Sequence, residues 1–402
     1  MSVSQTYSLL SDRINALSES QTLAMSRKAR ELGAQGVQVI NLSIGEPDFQ
    51  TPAHIKEAAK QAIDEGFSWY TPVPGYADLR GVIADKLRRE NHLDWKAENI
   101  VVSTGAKQSL ANVILSLVNP GDEVIIFSPY WVSYSEIVKL AEGVTVLLEG
   151  SFENGFKATA QQLENAITPR TKLVMYSSPC NPTGAVFSKE ELTAIAGVVA
   201  RHENIFVLAD EIYEYIRFHD DYFSIGSLDY LRDRVITVNG FSKGFAMTGW
   251  RVGYIAAAKW IADACDKIQG QVTSGTCSIS QRAAVVAYTD MAPTRAMAEA
   301  YRRRRDLVVA LVSDIPGVKT YVPDGAFYLF PDIRYYLGKT DGKTTLHTAE
   351  DLCLWLLSEA HVSLVTGEAF GAPECIRISF AASEENLKEA IRRVKETLTK
   401  LH

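Results

Sequence analysis

Short apolar runs rich in β-branched residues recur along the middle of the chain, and amphipathic segments separate most of them. Such runs predict β-strands, and the segments between them have helical periodicity. Near-continuous apolar strands alternating with helices are typical of a mostly parallel sheet covered by helices on both faces. The pattern predicts a doubly wound α/β domain with seven strands, at residues 100–103, 123–127, 144–148, 172–177, 205–209, 235–238 and 251–257.

The spacing between these runs predicts most of the connections. Only a short loop, residues 244–250, joins the last two predicted strands, so we expect the last strand to run antiparallel to its neighbour. Longer amphipathic segments between the other strands predict crossover helices. Four of these helices are expected at residues 107–117, 134–141, 160–166 and 189–201.

The remainder of the chain predicts a smaller α+β domain. Predicted helices at 293–313, 350–360 and 384–401 accompany short strands at 326–330 and 376–380. With 402 residues, the chain exceeds the size at which one core usually stops growing. We expect an N-terminal arm and part of the small domain over residues 1–48, a large domain over 49–290 and a small C-terminal domain over 291–402.

Composition narrows the class of protein. Hydrophobic residues make up 47% and charged residues 22%, which is ordinary for a soluble globular protein. A net charge of −7 gives no general reason to bind nucleic acid or an anionic membrane. The five cysteines are scattered without a C-x-x-C pair or a histidine cluster, which argues against a disulfide framework or structural zinc and favours the cytoplasm. No signal peptide or membrane span is predicted.

Small residues follow the first predicted strand at Thr104-Gly105-Ala106-Lys107, where a helix begins. Small residues at such a point let backbone N–H groups approach an anion, which the helix dipole also favours. Taken alone, Gly105 and Ala106 are better explained by a simple tight turn. Lys107 favours the anion site, because a cation in the first helical turn is mildly unfavourable unless an anion lies nearby.

Polar side chains follow three further strands. Asn181 lies in the rigid turn Pro179-Cys180-Asn181-Pro182, Asp210 ends the fifth strand, and Lys243 follows the sixth. Taken singly, these are an ordinary turn residue, a helix cap and a solvated surface charge. Because ligands in open α/β sheets bind at the carboxyl ends of the strands, we expect the three side chains to converge.

The converging groups fit one cofactor better than others. They offer an amine, a carboxylate, an amide, the phenol of Tyr213, and a phosphate-binding turn with the guanidinium of Arg251. Pyridoxal 5′-phosphate needs a lysine for its aldehyde, an acidic partner for its pyridinium nitrogen and an anion site for its phosphate. Neither the dinucleotide G-x-G-x-x-G signature nor a nucleotide P-loop is present.

These residues resemble the fold-type I pyridoxal-phosphate enzymes, and within them the class I aminotransferases of the prokaryotic aspartate aminotransferase subgroup. The resemblance spans nearly the whole chain and implies that residues 49–290 form the cofactor-binding domain. The matching segments are Asn41 to Phe49, Tyr70 to Gly75, Ser128 to Tyr134, Asn181 to Gly184, Asp210 to Glu214, Ser242 to Arg251 and Arg377 to Phe380.

The resemblance implies a role for each residue around the cofactor. Lys243 forms the internal aldimine and then moves the proton between substrate and cofactor. Asp210 keeps the pyridine nitrogen protonated, while Tyr213 and Asn181 hydrogen-bond the phenolic oxygen of the ring. Trp131 lies against the cofactor and substrate, although a core aromatic residue is the alternative. The phosphate is bound by Gly105, Ala106, Ser242, Arg251 and, from a second subunit, Tyr70.

The resemblance also implies the substrate contacts. Arg377 binds the α-carboxylate and the backbone at Gly45 closes over it; a surface salt bridge is the alternative for Arg377. In the prokaryotic subgroup the lysine at the position of Lys107 binds the distal carboxylate. That role favours the dicarboxylic substrates aspartate and 2-oxoglutarate, and a flexible lysine also allows other acidic or aromatic substrates, prephenate included.

The leading hypothesis is a homodimeric enzyme that exchanges an amino group between L-aspartate and 2-oxoglutarate, giving oxaloacetate and L-glutamate by a ping-pong route. One alternative keeps the cofactor and changes the amino-exchange substrates to aromatic amino acids, to the pair prephenate and arogenate, or to alanine. Another changes the reaction itself, since fold does not fix chemistry. A non-catalytic ligand sensor with the same fold is the alternative from another class.

Overall fold

The computed structural model describes residues 9–19 and 21–402 and contains a large α/β unit and a smaller α+β unit. The helices are α1 Asp12–Asn15, α2 Gln21–Ala34, α3 Ala53–Asp64, α4 Ala77–Asn91, α5 Ala106–Leu117, α6 Ser133–Leu140, α7 Ala160–Ala166, α8 Lys189–Ala200, α9 Lys259–Val272, α10 Ser278–Val285, α11 Ala292–Ser313, α12 Ala349–Glu359 and α13 Glu384–Leu398. The strands are β1 Ile40–Asn41, β2 Ile100–Ser103, β3 Glu123–Ser128, β4 Val144–Glu149, β5 Thr171–Ser177, β6 Phe206–Asp210, β7 Val235–Gly240, β8 Gly253–Ala256, β9 Tyr328–Leu329, β10 Val362–Ser363, β11 Val365–Thr366 and β12 Ile376–Ser379.

The large sheet has seven strands in the order β2-β8-β7-β6-β5-β3-β4. Strands β4, β3, β5, β6 and β7 are parallel, whereas β8 lies antiparallel to both of its neighbours. The predicted seven-stranded sheet and the antiparallel last strand are therefore confirmed. Residues 241–252 connect β7 to β8 without a helix, so they lack the crossover helix that usually joins parallel strands.

Burial on both faces of the sheet explains why its strands read as continuous apolar runs. Along β5, Leu173 and Met175 enter one hydrophobic cluster and Val174 enters another. Along β6, Leu208 enters the first of these clusters and Val207 enters the second. Successive side chains of a strand point to opposite faces, so a sheet covered by helices on both sides needs apolar residues at every position.

The smaller unit is built around the antiparallel sheet β11-β12-β9. The N-terminal segment joins it, because β1 pairs in parallel with β10. Met25 and Leu42 from this segment enter the same hydrophobic cluster as Leu352 of α12 and Ile391 of α13. The predicted strand at 326–330 is reduced to two residues, and Ala326 at its predicted start lies outside extended backbone with a φ of +56°.

In the described part of the chain, none of the helices combines the length and apolar character required to cross a membrane.

Candidate active site

A cavity of about 390 Å³ lies at the carboxyl ends of the parallel strands. Side chains from the loops after β3, β5, β6 and β7 line it, together with the first turn of α5. The smaller unit closes the other side with Gly45, Tyr328 and Arg377. The convergence expected from the strand ends is confirmed, since Asn181, Asp210 and Lys243 all line this cavity.

Lys243 lies in the cavity with its amine largely withdrawn from solvent. Its Nζ donates a hydrogen bond to the carbonyl oxygen of Gly45 at 2.5 Å. Burial lowers the pKa of Lys243 to about 8, assisted by the positive charges of Arg377 and Arg251, while Glu46 and Asp210 oppose the shift. With that pKa, about a tenth of the side chain is a neutral amine at pH 7, against less than about a thousandth for an ordinary lysine. Lys243 can therefore act as a nucleophile and as a base.

Asp210 presents a buried carboxylate at the end of β6. Tyr134 donates its hydroxyl to Oδ2 at 2.6 Å, and the backbone N–H of Ile212 donates to Oδ1 at 3.2 Å. Burial raises the pKa of Asp210 to about 6, against the effect of these hydrogen bonds and of Lys243. Within the described residues, Asp210 has no ion-pair partner. A buried carboxylate of this kind is stabilised by a cation that enters the cavity, and a protonated ring nitrogen meets that requirement.

Arg377 is buried, with 1% of its surface exposed, and extends from β12 into the cavity. Its Nη1 donates to Oδ1 of Asn181 at 2.9 Å and its Nη2 donates to the carbonyl oxygen of Ser43 at 2.6 Å. The guanidinium also lies 4.6 Å from the ring centre of Tyr328 and 4.9 Å from that of Phe370.

The alternative of a surface salt bridge for Arg377 is wrong, since its partners are neutral and the side chain is buried. The Nε atom of Arg377 is buried and has no partner among the described residues. A buried guanidinium with an unused N–H donor is suited to bind a carboxylate that enters the cavity.

Tyr213 and Tyr328 form a pair at the junction of the two units. Their hydroxyl groups lie 2.6 Å apart, and their rings meet edge to face at 5.8 Å. Burial raises the pKa of Tyr213 above its usual range, so its hydroxyl keeps its proton. Tyr213 therefore faces the cavity as a neutral hydrogen-bonding group.

The first turn of α5 and Arg251 lie together at one end of the cavity. Gly105 precedes the helix with a φ of +81°, and a Cβ added there would lie 2.3 Å from Nη2 of Arg251. Arg251 donates through Nη1 to the carbonyl oxygen of Thr248 at 2.9 Å and has no carboxylate partner in the described part of the chain. Ser242 and Ala106 line the adjoining wall of the cavity. The N–H of Gly105 donates to the carbonyl oxygen of Ser103 at 2.7 Å, so the helix start at Ala106 and the guanidinium of Arg251 are the groups that match the requirements of a phosphate group.

Lys107, which follows Ala106 in the first turn of α5, and Trp131 also line the cavity. The Nζ of Lys107 lies 4.8 Å from the centre of the Trp131 ring system. Partial burial lowers the pKa of Lys107, and the charge of Arg251 lowers it further. Trp131 also packs edge to face against Tyr134 at 5.6 Å, so it is at once a cavity wall and a neighbour of the core.

Two of the predicted site residues do not line the cavity of their own chain. Gly105 lies behind the guanidinium of Arg251 and shapes the anion site through its backbone. Tyr70 is 99% exposed. Its expected contact involves a second subunit and stays a prediction.

The structure adds cavity residues that the sequence analysis missed. Tyr134 and Tyr328 hydrogen-bond Asp210 and Tyr213, and Glu46 accepts a hydrogen bond from Thr248. Leu23 of α2 also lines the cavity. Glu46 and Tyr134 lie within segments that carried the family resemblance, which was the available signal. Nothing in the local sequence around Tyr328 indicates its partner, which lies 115 residues away.

An amine of lowered pKa, a buried carboxylate without a cation and an anion site at a helix N-terminus together define the class: a pyridoxal-phosphate enzyme of the α/β type. Each of these groups lacks the partner that the cofactor would supply. The residues present therefore fit the cofactor.

Comparisons with known proteins give the family. The model of the class I and II aminotransferases matches residues 37–394. The chain is 47% identical to a bifunctional aspartate aminotransferase and glutamate/aspartate-prephenate aminotransferase from Petunia hybrida, over 97% of this chain and 82% of that protein. It is 45% identical to an aspartate/prephenate aminotransferase from Cereibacter sphaeroides, over 96% of this chain and 98% of that protein.

Solved structures agree with these matches. The aspartate aminotransferase from Rhizobium meliloti superimposes with a TM-score of 0.94 at 41% identity, over 98% of this chain and 99% of that chain. The aspartate aminotransferase from Thermus thermophilus with maleate gives a TM-score of 0.91 at 40% identity, over 96% of this chain and 99% of that chain. The chain belongs to the class I and II aminotransferases, which depend on pyridoxal 5′-phosphate. The predictions of fold, cofactor and transaminase activity are confirmed, and the non-catalytic sensor is not supported.

Proposed function

We propose that the protein transfers the amino group between L-aspartate and 2-oxoglutarate, with aspartate as the principal amino donor. The observation that carries this proposal is a pair of cations, Arg377 and Lys107, that face one cavity without carboxylate partners among the described residues. A dicarboxylic substrate supplies one carboxylate to each cation. Relatives named for aspartate and the Thermus thermophilus structure with maleate, a dicarboxylate, support the same substrate class.

Two cavity walls would hold the cofactor. The amide at Ala106, in the turn that Gly105 shapes, would bind its phosphate together with Ser242 and Arg251. Asp210, Asn181 and Tyr213 would bind its ring, and Trp131 would lie against it. When bound, pyridoxal phosphate supplies an aldehyde that takes up amino groups and a ring that withdraws electrons from the substrate Cα.

The residues of the chain provide the remaining chemistry. Lys243 removes the proton from the substrate Cα and holds it on Nζ, which its lowered pKa allows near neutral pH. Asp210 holds a positive charge at the ring nitrogen, because its buried carboxylate needs a cation. Arg377 orients the substrate through its α-carboxylate, and Gly45 lies beside the amine of Lys243 on the same side of the cavity. Since one cavity serves donor and acceptor in turn, the kinetics are ping-pong.

Prephenate is a second candidate acceptor, because the relatives from Petunia hybrida and Cereibacter sphaeroides carry prephenate in their names. A lysine is a point charge on a flexible stem, and Lys107 can therefore accommodate carboxylates at different distances from Arg377.

The assembly, the domain limits and the compartment are part of the proposal. We infer a homodimer in which Tyr70 enters the partner's site, supported by the 99% exposure of this side chain. We also infer an N-terminal arm that contributes to the small domain over residues 1–48, a large domain over 49–290 and a small domain over 291–402, supported by the pairing of β1 with β10. A cytoplasmic location rests on the cysteine pattern alone.

The amino-donor profile tests the substrate assignment. In the wild-type protein, aspartate should give a higher kcat/KM than alanine, phenylalanine or methionine. In Lys107→Met, kcat/KM for aspartate should fall by about 10- to 100-fold, the loss expected for one charged hydrogen bond, while alanine turnover stays within about twofold. Equal losses for aspartate and alanine would assign Lys107 a structural role, and faster wild-type turnover with a neutral donor would refute the aspartate proposal.

A further inference from the structure

A buried polar cluster lies behind the candidate active site, at the contact of α4, β7 and the loop after β6. We call it the loop anchor: Lys86, Asn91, Glu214 and Asn239. Lys86 forms an ion pair with Glu214 and donates to Oδ1 of Asn91 at 2.7 Å. Asn91 donates to Oε1 of Glu214 at 3.0 Å, and Asn239 donates to Oε2 at 2.7 Å. The carboxylate of Glu214 is thus bound by three donors from two other elements.

Complete burial makes the loop anchor unusual. The side chains of Lys86 and Glu214 are 0% and 2% exposed. Removing two charges from water costs several kcal/mol for each ion, and well-packed apolar residues in place of a buried pair often give equal or greater stability. A contribution to stability is therefore a weak explanation for the pair, and a contribution to geometry is a stronger one.

Only a few residues of the chain separate the loop anchor from the residues that line the cavity. Glu214 directly follows Tyr213 and lies four residues after Asp210. The loop is held as a turn, because the N–H of Glu214 donates to the carbonyl oxygen of Glu211 at 2.9 Å and the N–H of Glu211 donates to that of Val238 at 2.8 Å. Asp210 and Tyr213 line the cavity, whereas the side chain of Glu214 enters the cluster behind it.

A second acid in the same loop stays neutral. Glu211 accepts a hydrogen bond from Ser224 at 2.5 Å, and burial, followed by the nearby charge of Glu214, raises the pKa of Glu211 to about 8. At pH 7 most of Glu211 is therefore protonated. Lys86 then has one charged partner, Glu214.

We propose that Lys86 and Glu214 are positioning residues for the cofactor: their directional contacts fix the loop so that Asp210 and Tyr213 meet the cofactor ring. The proposal rests on the family's cofactor and on the assigned site. It does not depend on which amino donor the enzyme prefers, so the ratio of aspartate to alanine turnover plays no part in its test.

The test separates stability from positioning. The variants are Lys86→Met, which leaves Glu214 buried without its cation, and the double variant Lys86→Met/Glu214→Leu, which removes both charges. Lys60→Met is the matched control, since Lys60 pairs with Glu57 on the exposed surface of α3. For each protein the urea midpoint of the apoprotein, the Kd for pyridoxal phosphate and the pH midpoint of the bound cofactor's absorbance change are measured.

We expect Lys86→Met to lower the urea midpoint and to weaken cofactor binding at least about tenfold. The double variant should recover most of the urea midpoint, because no unpaired charge remains, and should still bind the cofactor at least about tenfold more weakly, with a shifted absorbance midpoint. If the double variant recovered the wild-type affinity for the cofactor and the wild-type absorbance midpoint along with its stability, the proposal would be overturned.

Asn239→Ala is a milder variant that keeps the ion pair and loses one donor to Glu214. It keeps the proposal testable where the double variant fails to fold. We expect it to weaken cofactor binding by about threefold and to shift the absorbance midpoint in the same direction as Lys86→Met. A folded Asn239→Ala protein with both values unchanged would also overturn the proposal.

Discussion

Burial moves the pKa values of Lys243 and Asp210 in opposite directions, and both shifts prepare the residues for the same ligand. The pKa of Lys243 falls to about 8 and that of Asp210 rises to about 6, because each charged form loses solvation. A larger fraction of the lysine is then a neutral amine, which is the form that reacts with a carbonyl group. The buried carboxylate is stabilised by a nearby cation, and a protonated ring nitrogen provides one. Desolvation by the fold thus selects a ligand that has both groups.

Tyr134→Phe tests how the charge of Asp210 is maintained. The tyrosine hydroxyl lowers the pKa of Asp210, so its removal should raise that pKa above about 6, and the carboxylate should take up a proton at higher pH. Cofactor affinity of the apoprotein should therefore decline on acidification at a pH about half a unit to one unit higher than in the wild type. Titrations with pyridoxal phosphate between pH 5 and 8 measure this, and an unchanged pH dependence would exclude the proposed role of Tyr134.

At the scale of elements, the sequence predicted where the strands lie but not which residues far apart along the chain contact each other. Strands β2, β3 and β5 to β8 could be located because burial on both faces demands continuous apolar runs. The edge strand β4 is mostly exposed or half-buried, and its β-branched residues indicated its position. The start of α5 could be located because Gly105 and Ala106 follow a strand end. The partners of Tyr134 and Lys86 lie 76 and 128 residues away along the chain. No local pattern encodes such pairs, because tertiary packing alone brings them together.

Gly105→Ala tests the junction of β2 and α5. A methyl group at this position would overlap the guanidinium of Arg251, and the φ of +81° is strained for alanine. We expect the Kd for pyridoxal phosphate to rise by at least about tenfold, with a smaller change for pyridoxal, which lacks the phosphate. Gly197→Ala in α8, where a methyl group meets open space, serves as the control and should bind the cofactor as the wild type does. Equal losses for both ligands would place the defect outside the anion site.

At the scale of the whole molecule, the cavity belongs to neither unit alone. The large sheet contributes Lys243, Asp210 and Asn181, whereas β12 contributes Arg377 and the segment after β1 contributes Gly45. Only the family resemblance indicated a binding role for Arg377, although an arginine at the start of a short strand is an unusual place for a surface salt bridge. Its burial and its hydrogen bond to Asn181 follow from the packing of the smaller unit against the loop after β5.

Hybrid dimers test the proposed assembly. Lys243→Ala and Tyr70→Ala should each give a weakly active homodimer. In a mixed dimer, one site combines the intact Lys243 of one subunit with the intact Tyr70 of the other, so unfolding and refolding the two variants together should restore measurable activity, at most about half the wild-type value per hybrid dimer. Activity that stays at the average of the two parents would contradict the exchange of Tyr70 between subunits.

Reaction of the Lys243→Ala protein with pyridoxal phosphate and L-aspartate tests the central claim most directly. After borohydride reduction of the wild-type holoenzyme, mass spectrometry should find the cofactor on the peptide that contains Lys243. In Lys243→Ala, that adduct should be absent and aspartate turnover should fall by about a thousandfold or more, because nucleophile and base are both removed. Cofactor attachment at another lysine of the wild type, or near-wild-type turnover in Lys243→Ala, would contradict the account.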